Sequence, residues 1–287
     1  MKNVNFVVTD LDDTIWDWLE MWYMSFGPYL DRIAKETGID IGILTAEFKQ
    51  LHQKYGTTEI SFAYKELPSI TEQHYHLFEG SSELKNILHE YNSNKKNSLK
   101  TYDGVVDTLK YIKAKGTKIV AFTESNVFFT KYRIKHLELD GIIDAIYSPA
   151  GSAVPETVDI HYSESFWEPQ QTTIKTLPED TRKPNKKILE AILNDFGASK
   201  ENAIYIGDKL DRDIYMAQQA GMTSVHASYG HQIDGAKYEL LVAVTHWKDE
   251  DVLRERNFKN QAVAVKKPDY TINQFEELKT LFNYTKF

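Results

Sequence analysis

Carboxylates gather at two places in this chain where a strand-like run gives out. The first is Val8-Thr9-Asp10-Leu11-Asp12-Asp13-Thr14. Alternate side chains share a face in extended backbone, so Asp10 and Asp12 project to one side while Leu11 turns toward apolar surroundings. Two carboxylates held together are unfavourable unless a cation lies between them or one stays protonated. Both states suit chemistry on a phosphate ester. An acidic turn that only closes the strand is the other reading of the same residues.

The second place follows Ala203-Ile204-Tyr205-Ile206. There Gly207 lets the backbone turn, and Asp208 falls at the carboxyl end of a buried parallel strand, the edge at which open α/β sheets bind ligands. A hard cation such as magnesium takes oxygen ligands, using one or two carboxylates with substrate phosphate and water. Asp213, one helical turn on, could hold a metal-bound water or a site lysine, whereas Asp211 reads as a solvated or helix-capping carboxylate. Two further residues stand at element ends: Thr123 after Ile119-Val120-Ala121-Phe122, and Lys183 before Pro184 and a helix. A hydroxyl and an ammonium there suit phosphate oxygens, and the lysine would offset the crowded negative charge.

Periodicity supplies the elements that must carry these residues. Strands are expected at 4–9, 118–123, 145–148, 203–207 and 223–227. Helices are expected at 104–115, with Val105, Val106, Leu109 and Ile112 on one face, at 184–196, stopped by Gly197, and up to Ala220, stopped by Gly221. The repeated strand, turn and helix predict a doubly wound, Rossmann-like parallel α/β sheet. Residues 16–99 break the rhythm with helix-period patterns only, including Trp18, Leu19, Trp22 and Phe26 on one face, and read as an inserted α-helical domain with an aromatic core. In 149–182, Pro149, Pro155, Pro169 and Pro178 exclude a long helix, and alternation at Val158, Ile160 and Tyr162 suggests a hairpin with 172–176. The expected organisation is a discontinuous α/β core of 1–15 and 100–287, a helical domain of 16–99, and a small insertion at 149–182. Tyr270, Phe275 and Phe282 are expected to pack a last helix on the sheet.

Composition narrows the function classes. The 287 residues, 41% apolar and 26% charged, suffice for one large or two modest domains. With no cysteine, the chain has no disulfide, thiolate zinc site, iron–sulfur cluster or cysteine nucleophile. A net charge of −8 gives no reason to expect nucleic acid or an anionic membrane as partner, and an anionic substrate would need a local cation. No export signal and no apolar run of membrane length is visible, so a soluble, cytoplasmic protein is expected. His74 and His76 flank Tyr75 without an evident third ligand and read as surface or packing residues.

Together and in this order, Asp-x-Asp-x-Thr at Asp10, Asp12 and Thr14, the strand-ending Thr123, Lys183-Pro184, and Gly207-Asp208 followed by Asp213 resemble the motifs of the haloacid dehalogenase (HAD) superfamily of phosphohydrolases. The likeness covers the α/β part of the chain. It implies that Asp10 is the nucleophile that takes the phosphoryl group and that Asp12 protonates the leaving oxygen and later activates water. It further implies Mg2+ held by Asp10, the backbone carbonyl of Asp12, and Asp208, and phosphate contacts from Thr123, Lys183 and Thr14, with Asp213 in support. The implied activity is magnesium-dependent hydrolysis of a small phosphorylated metabolite through an aspartyl phosphate. Residues 16–99 then resemble the family's helical cap, which sets substrate choice and would move on hinges at 15–17 and 92–98. A phosphomutase of the same superfamily shares the aspartyl phosphate, and a noncatalytic binding protein on the same fold is a reading of a different class. Two features depart from the family pattern: Glu124 stands after Thr123 where an Asn or another small polar residue is common, and the 149–182 segment is longer than a simple connection.

Overall fold

The structure, a computed structural model, describes residues 1–60, 62–79, 86–151, 164–231, 235–247 and 267–287. The chain divides into two compact units, one of Met1–Asp17, Thr101–Gln232 and Ala262–Phe287, the other of Trp18–Lys100 and Ile233–Gln261.

The first unit is built on parallel strands: β1 (Lys2–Val4), β2 (Phe6–Thr9), β3 (Lys118–Phe122), β4 (Ala145–Pro149), β5 (Thr173–Leu177), β6 (Ala203–Gly207), β7 (Thr223–Ala227), β8 (Tyr270–Ile272) and β9 (Phe282–Tyr284). Among the described residues the α-helices are α1 (Trp18–Thr37), α2 (Ile41–Tyr55), α3 (Ile87–Ser98), α4 (Val105–Ala114), α5 (Val127–His136), α6 (Lys186–Phe196), α7 (Tyr215–Gln219), α8 (Gly235–Val244) and α9 (Leu278–Leu281). The main sheet runs β5-β4-β3-β2-β6-β7-β8, and β1 pairs with β9 in a separate two-stranded ladder. Strands β2 and β6 are buried along their whole length, as their uninterrupted apolar runs require of a sheet covered on both faces. Phe6, Val8, Val120, Phe122 and Tyr205 pack there with Leu189 and Ile192 of α6. In the register of the sheet Thr9 lies opposite both Ala121 and Ile206, so Asp10, Thr123 and Asp208 all emerge within two residues of one sheet edge.

Three local expectations change. The strand expected at 4–9 is two, because Asn5 turns its N–H to the Asn202 carbonyl and its own carbonyl to Lys118. The run at 172–176 forms β5, which pairs in parallel with β4 instead of closing a hairpin; residues 158–162 lie outside the described residues. The Asp140 carboxylate accepts the backbone N–H groups of Gln170, Gln171 and Thr172, and this clamp aims the chain back along β4. In the tail, Tyr270 and Phe282 lie in strands, with Phe275 and the one-turn α9 between them.

The second unit is helical, and its interior is aromatic. Trp22 stacks on Phe26 with centroids 5.0 Å apart, Phe26 meets the edge of Phe48 at 5.0 Å, and Tyr29 lies 4.8 Å from Tyr91. Residues 92–98, expected as a polar connection, continue α3 to Ser98. Residues 233–261, expected with the sheet, group instead with the helices. The apolar 240–244 run is strand-like in composition, but α8 buries Leu241 and Val244 among α1 and α2, and the Val244 carbonyl accepts from His52 Nδ1 at 2.6 Å. Gly27 of α1 faces Leu240, whose Cδ2 would lie in ordinary van der Waals contact, 3.7 Å, with a Cβ at that position. Among the described residues no helix is long and apolar enough to cross a membrane.

Candidate active site

Strand β2 delivers Asp10. Its backbone N–H still bonds the Ile206 carbonyl at 2.8 Å, so the residue is tied to β6 one step beyond the last strand position. The side chain is buried, and Lys183 Nζ stands 2.6 Å from its Oδ1 and 2.8 Å from Asp213 Oδ1. Burial disfavours the ammonium, but the Asp10 and Asp213 carboxylates outweigh it and hold the Lys183 pKa well above the ordinary lysine value.

A π turn over Leu210–Ile214 presents Asp213, with the N–H groups of Asp213 and Ile214 both directed at the Lys209 carbonyl. Asp213 Oδ1 also accepts from Tyr205 Oη at 2.8 Å, and Oδ2 accepts from the Lys209 N–H at 3.1 Å. Gly207 is required by this approach, because a Cβ there would lie 2.5 Å from Asp213 Cβ. The next residue, Asp208, is buried; its Oδ2 lies 2.9 Å from Lys209 Nζ, and its carbonyl accepts from His226 Nε2 at 3.0 Å.

Asp10, Asp208 and Asp213 each place a carboxylate oxygen within 4.8 Å of the others. Burial, against the pull of Lys183, drives the Asp10 pKa well above the usual carboxylate range. Burial likewise raises Asp208 to about 6, with Lys209 opposing and Asp213 adding to the rise. An all-oxygen donor set in which burial pushes Asp10 and Asp208 toward protonation fits a hard divalent cation. Asp213 is occupied by Lys183, Tyr205 and Lys209, which leaves Asp10 and Asp208 as the carboxylates suited to ligate.

Asp12 does not share this arrangement. Its Oδ1 accepts from Trp16 Nε1 at 2.6 Å, its Oδ2 from Ser125 Oγ at 2.6 Å, and Arg133 Nη1 lies 3.3 Å from Oδ1. Lys183, expected to offset the crowded negative charge, does so for Asp10 and Asp213, whereas Arg133 serves Asp12.

Thr123 is fully buried at the end of β3, where its Oγ1 accepts from the Ser125 N–H at 3.0 Å and keeps its own proton to donate. Thr14 is also fully buried, in the turn after Asp12. Its Oγ1 makes no hydrogen bond among the described residues, and its carbonyl accepts from Tyr229 Oη at 2.7 Å. The Glu124 charge is not loose in the site. Its Oε1 accepts from the Lys183 N–H at 3.1 Å, and its Oε2 pairs with Arg212 at 3.2 Å. Asp211 is half-buried in the π turn, outside the carboxylate group. His74 and His76 engage their own turn, through the Thr71 N–H and the Gln73 carbonyl.

Sequence reasoning missed Trp16, Ser125, Arg133, Tyr205, His226 and Gly230. Arg133 carried a signal, since it shares the inward stripe of α5 with Thr130 and Ile134. Gly230 carried none: a Cβ there would fall 1.7 Å from the Asp13 carbonyl oxygen, a contact made by residues far apart in the chain.

The model of the haloacid dehalogenase-like hydrolase family matches residues 4–221. The chain belongs to that family. As a HAD-like hydrolase it is 42% identical, over 52 residues, to the glyceraldehyde 3-phosphate phosphatase of Pyrococcus furiosus, a match covering 18% of this chain and 22% of that protein. The match thus spans about a fifth of that relative's length. Among solved structures, a HAD phosphatase from Thermococcus onnurineus is similar over all of both chains at 18% identity with a TM-score of 0.56. A HAD hydrolase from Bacillus subtilis, bound to magnesium, is similar at 16% identity and a TM-score of 0.51, covering 98% of this chain and all of that one. These likenesses establish the α/β fold.

Proposed function

We propose that this HAD-like hydrolase is a phosphatase that uses Mg2+ to hydrolyse a small phosphorylated metabolite through a phosphoryl group carried on Asp10. The observation that carries the reading is the placement of Lys183 between Asp10 and Asp213 beside the buried Asp208, an arrangement with more carboxylates than cations at the edge where such sheets bind ligands. The phosphatase names of the Pyrococcus and Thermococcus proteins support it.

Magnesium, held by Asp10, Asp208 and the backbone carbonyl of Asp12, would neutralise charge on the phosphoryl group that the carboxylates otherwise repel. Lys183 supplies a fixed positive charge at a phosphoryl oxygen, and Thr123 donates its hydroxyl proton to another. The Asp10 carboxylate attacks phosphorus, and the bond to the leaving oxygen breaks as Asp12 passes that oxygen a proton. Asp12 then takes a proton from the water that hydrolyses the acyl phosphate, which returns both carboxyl groups to their starting states. Phosphoryl transfer rests mostly on positioning and charge neutralisation, so the buried, hydrogen-bonded state of these groups suits the task. Thr14 holds the turn that presents Asp12.

A panel of phosphorylated metabolites that includes glyceraldehyde 3-phosphate, assayed for released phosphate with and without Mg2+, tests the reading. Magnesium-dependent release of inorganic phosphate is expected. Appearance of an isomeric phosphate ester in place of free phosphate would make the protein a mutase, and no reaction across the panel would remove the enzymatic reading.

A further inference from the structure

Helix α5 inverts the ordinary rule of burial: Phe128 is 47% exposed while Arg133 is fully buried. A permanently charged guanidinium leaves water only where charge and hydrogen bonds receive it. Here Arg133 Nη1 lies 3.3 Å from Asp12 Oδ1 and donates to Ser125 Oγ at 2.9 Å, and Ser125 in turn donates to Asp12 Oδ2. We infer that Arg133 is the positioning residue for Asp12, gripping one carboxylate oxygen directly and the other through Ser125. The inference rests on the proposed role of Asp12 as proton donor to the leaving group.

Asp12 needs such a grip because it lies beyond the end of β2, where the ladder that fixes Asp10 has run out. Its restraints come from three places: Trp16 in the following turn, Ser125 between β3 and α5, and Arg133 within α5. Ser125 is itself fixed, since its carbonyl accepts from Ser148 Oγ at 2.7 Å and from Thr130 Oγ1 at 3.3 Å. Trp16 Nε1 and the guanidinium can only donate, so both hold Oδ1 as an acceptor and set the rotation of the carboxylate. The Ser125 hydroxyl can donate or accept, and it stands at Oδ2. One guanidinium nitrogen, Nη1, reaches both the carboxylate and the hydroxyl, and the rigid plane that carries it fixes the direction of both bonds more closely than a rotating ammonium would. An Asp12 that turns freely would still be present but would meet the leaving oxygen in the wrong geometry, and a misplacement of about 1 Å can cost on the order of 100-fold.

The test compares two esters on the full chain with Mg2+: 4-nitrophenyl phosphate, whose leaving group needs little protonation, and glycerol phosphate, whose alkoxide needs it fully. Arg133→Met should lower kcat on glycerol phosphate about tenfold or more beyond its effect on the nitrophenyl ester, and Arg133→Lys should recover part of the difference. Should Arg133→Met fail to fold, Ser125→Ala carries the same expectation in the same direction. Equal losses on the two esters, or no loss on either, would overturn the inference. Asp10→Asn run beside them separates the two ideas: unchanged rates in that variant defeat the aspartyl-phosphate reading, whereas an Asp10-dependent enzyme without the leaving-group split defeats only the role of Arg133.

Discussion

Buried charge is handled in opposite ways in the two units. In the helical unit the buried ion pair balances: Glu59 meets Lys95 at 2.6 Å with both side chains nearly sealed, and the buried His52, its pKa lowered to about 4 by burial, is neutral. In the sheet unit Asp10, Asp208 and Asp213 are buried around Lys183, with Lys209 at the margin, so negative charge is in surplus. A balanced pair holds a fold together. A surplus costs stability and persists where a ligand supplies the missing charge, which is why the comparison separates a structural interior from a functional one.

The largest expected effect breaks the functional side. Asp10→Asn should lower turnover by about 1,000-fold or more and leave no phosphate adduct in rapid-quench mass spectra, because an amide is a poor nucleophile. Asp12→Asn should still show the adduct on Asp10 with an activated ester. An adduct on Asp12 in the unaltered protein would reverse the two roles.

Next comes the balanced pair. Lys95→Met leaves Glu59 buried without its ammonium and should cost about 3–5 kcal/mol in urea unfolding, while adding Glu59→Gln should recover much of that. If the double variant is as unstable as the single, the two charges do not act as a pair.

The surplus makes the opposite prediction. Without metal, Asp208→Asn should raise stability at pH 7 by about 1–3 kcal/mol while abolishing any Mg2+-dependent rise in Tm. The sign follows from a folded pKa of about 6 against an ordinary 3.8: the stability this group contributes is present below pH 4 and is lost as pH rises through 6. Unfolding in chelator across pH 4–7 would show it, and a destabilised variant would end the idea of surplus charge.

The smallest effect sharpens the contrast within one pH window. His52 falls from 6.5 to about 4 on folding, so its contribution is present above pH 6.5 and is lost as pH falls toward 4. Between pH 7.5 and 5.5 that is about 1 kcal/mol, and it should vanish in His52→Phe. The two groups thus pull stability in opposite directions over nearly the same range.

Much of the site was legible because strand ends, a turn-permitting Gly207 and a Lys-Pro pair are local features. Asp10, Lys183, Asp208 and Asp213 meet as their order along alternating strands and helices suggested. The partner of Asp12 was only faintly legible, since Arg133 keeps helical spacing with Thr130 and Ile134 but sits among Lys131, Lys135 and His136, and the packing of α5 is what distinguishes it from a surface cation. Nor was α8 legible, whose run Leu240-Leu241-Val242-Ala243-Val244 fits a strand and a buried helix equally well until α1 and α2 are in place. The edge strand β8 escaped for a related reason, because a short edge carries little apolar pattern, whereas the extended run of β5 was legible and its parallel partner β4 was not.

The membership of Ile233–Gln261 in the helical unit bears on how such a unit can be inherited or transplanted. A gene segment encoding Trp18–Lys100 alone would omit α8, deprive His52 of its Val244 acceptor, and leave uncovered the helix faces that receive Leu241. Exchange of this unit between relatives therefore has to carry two separated stretches of coding sequence together, and a chimaera built from the first alone should aggregate.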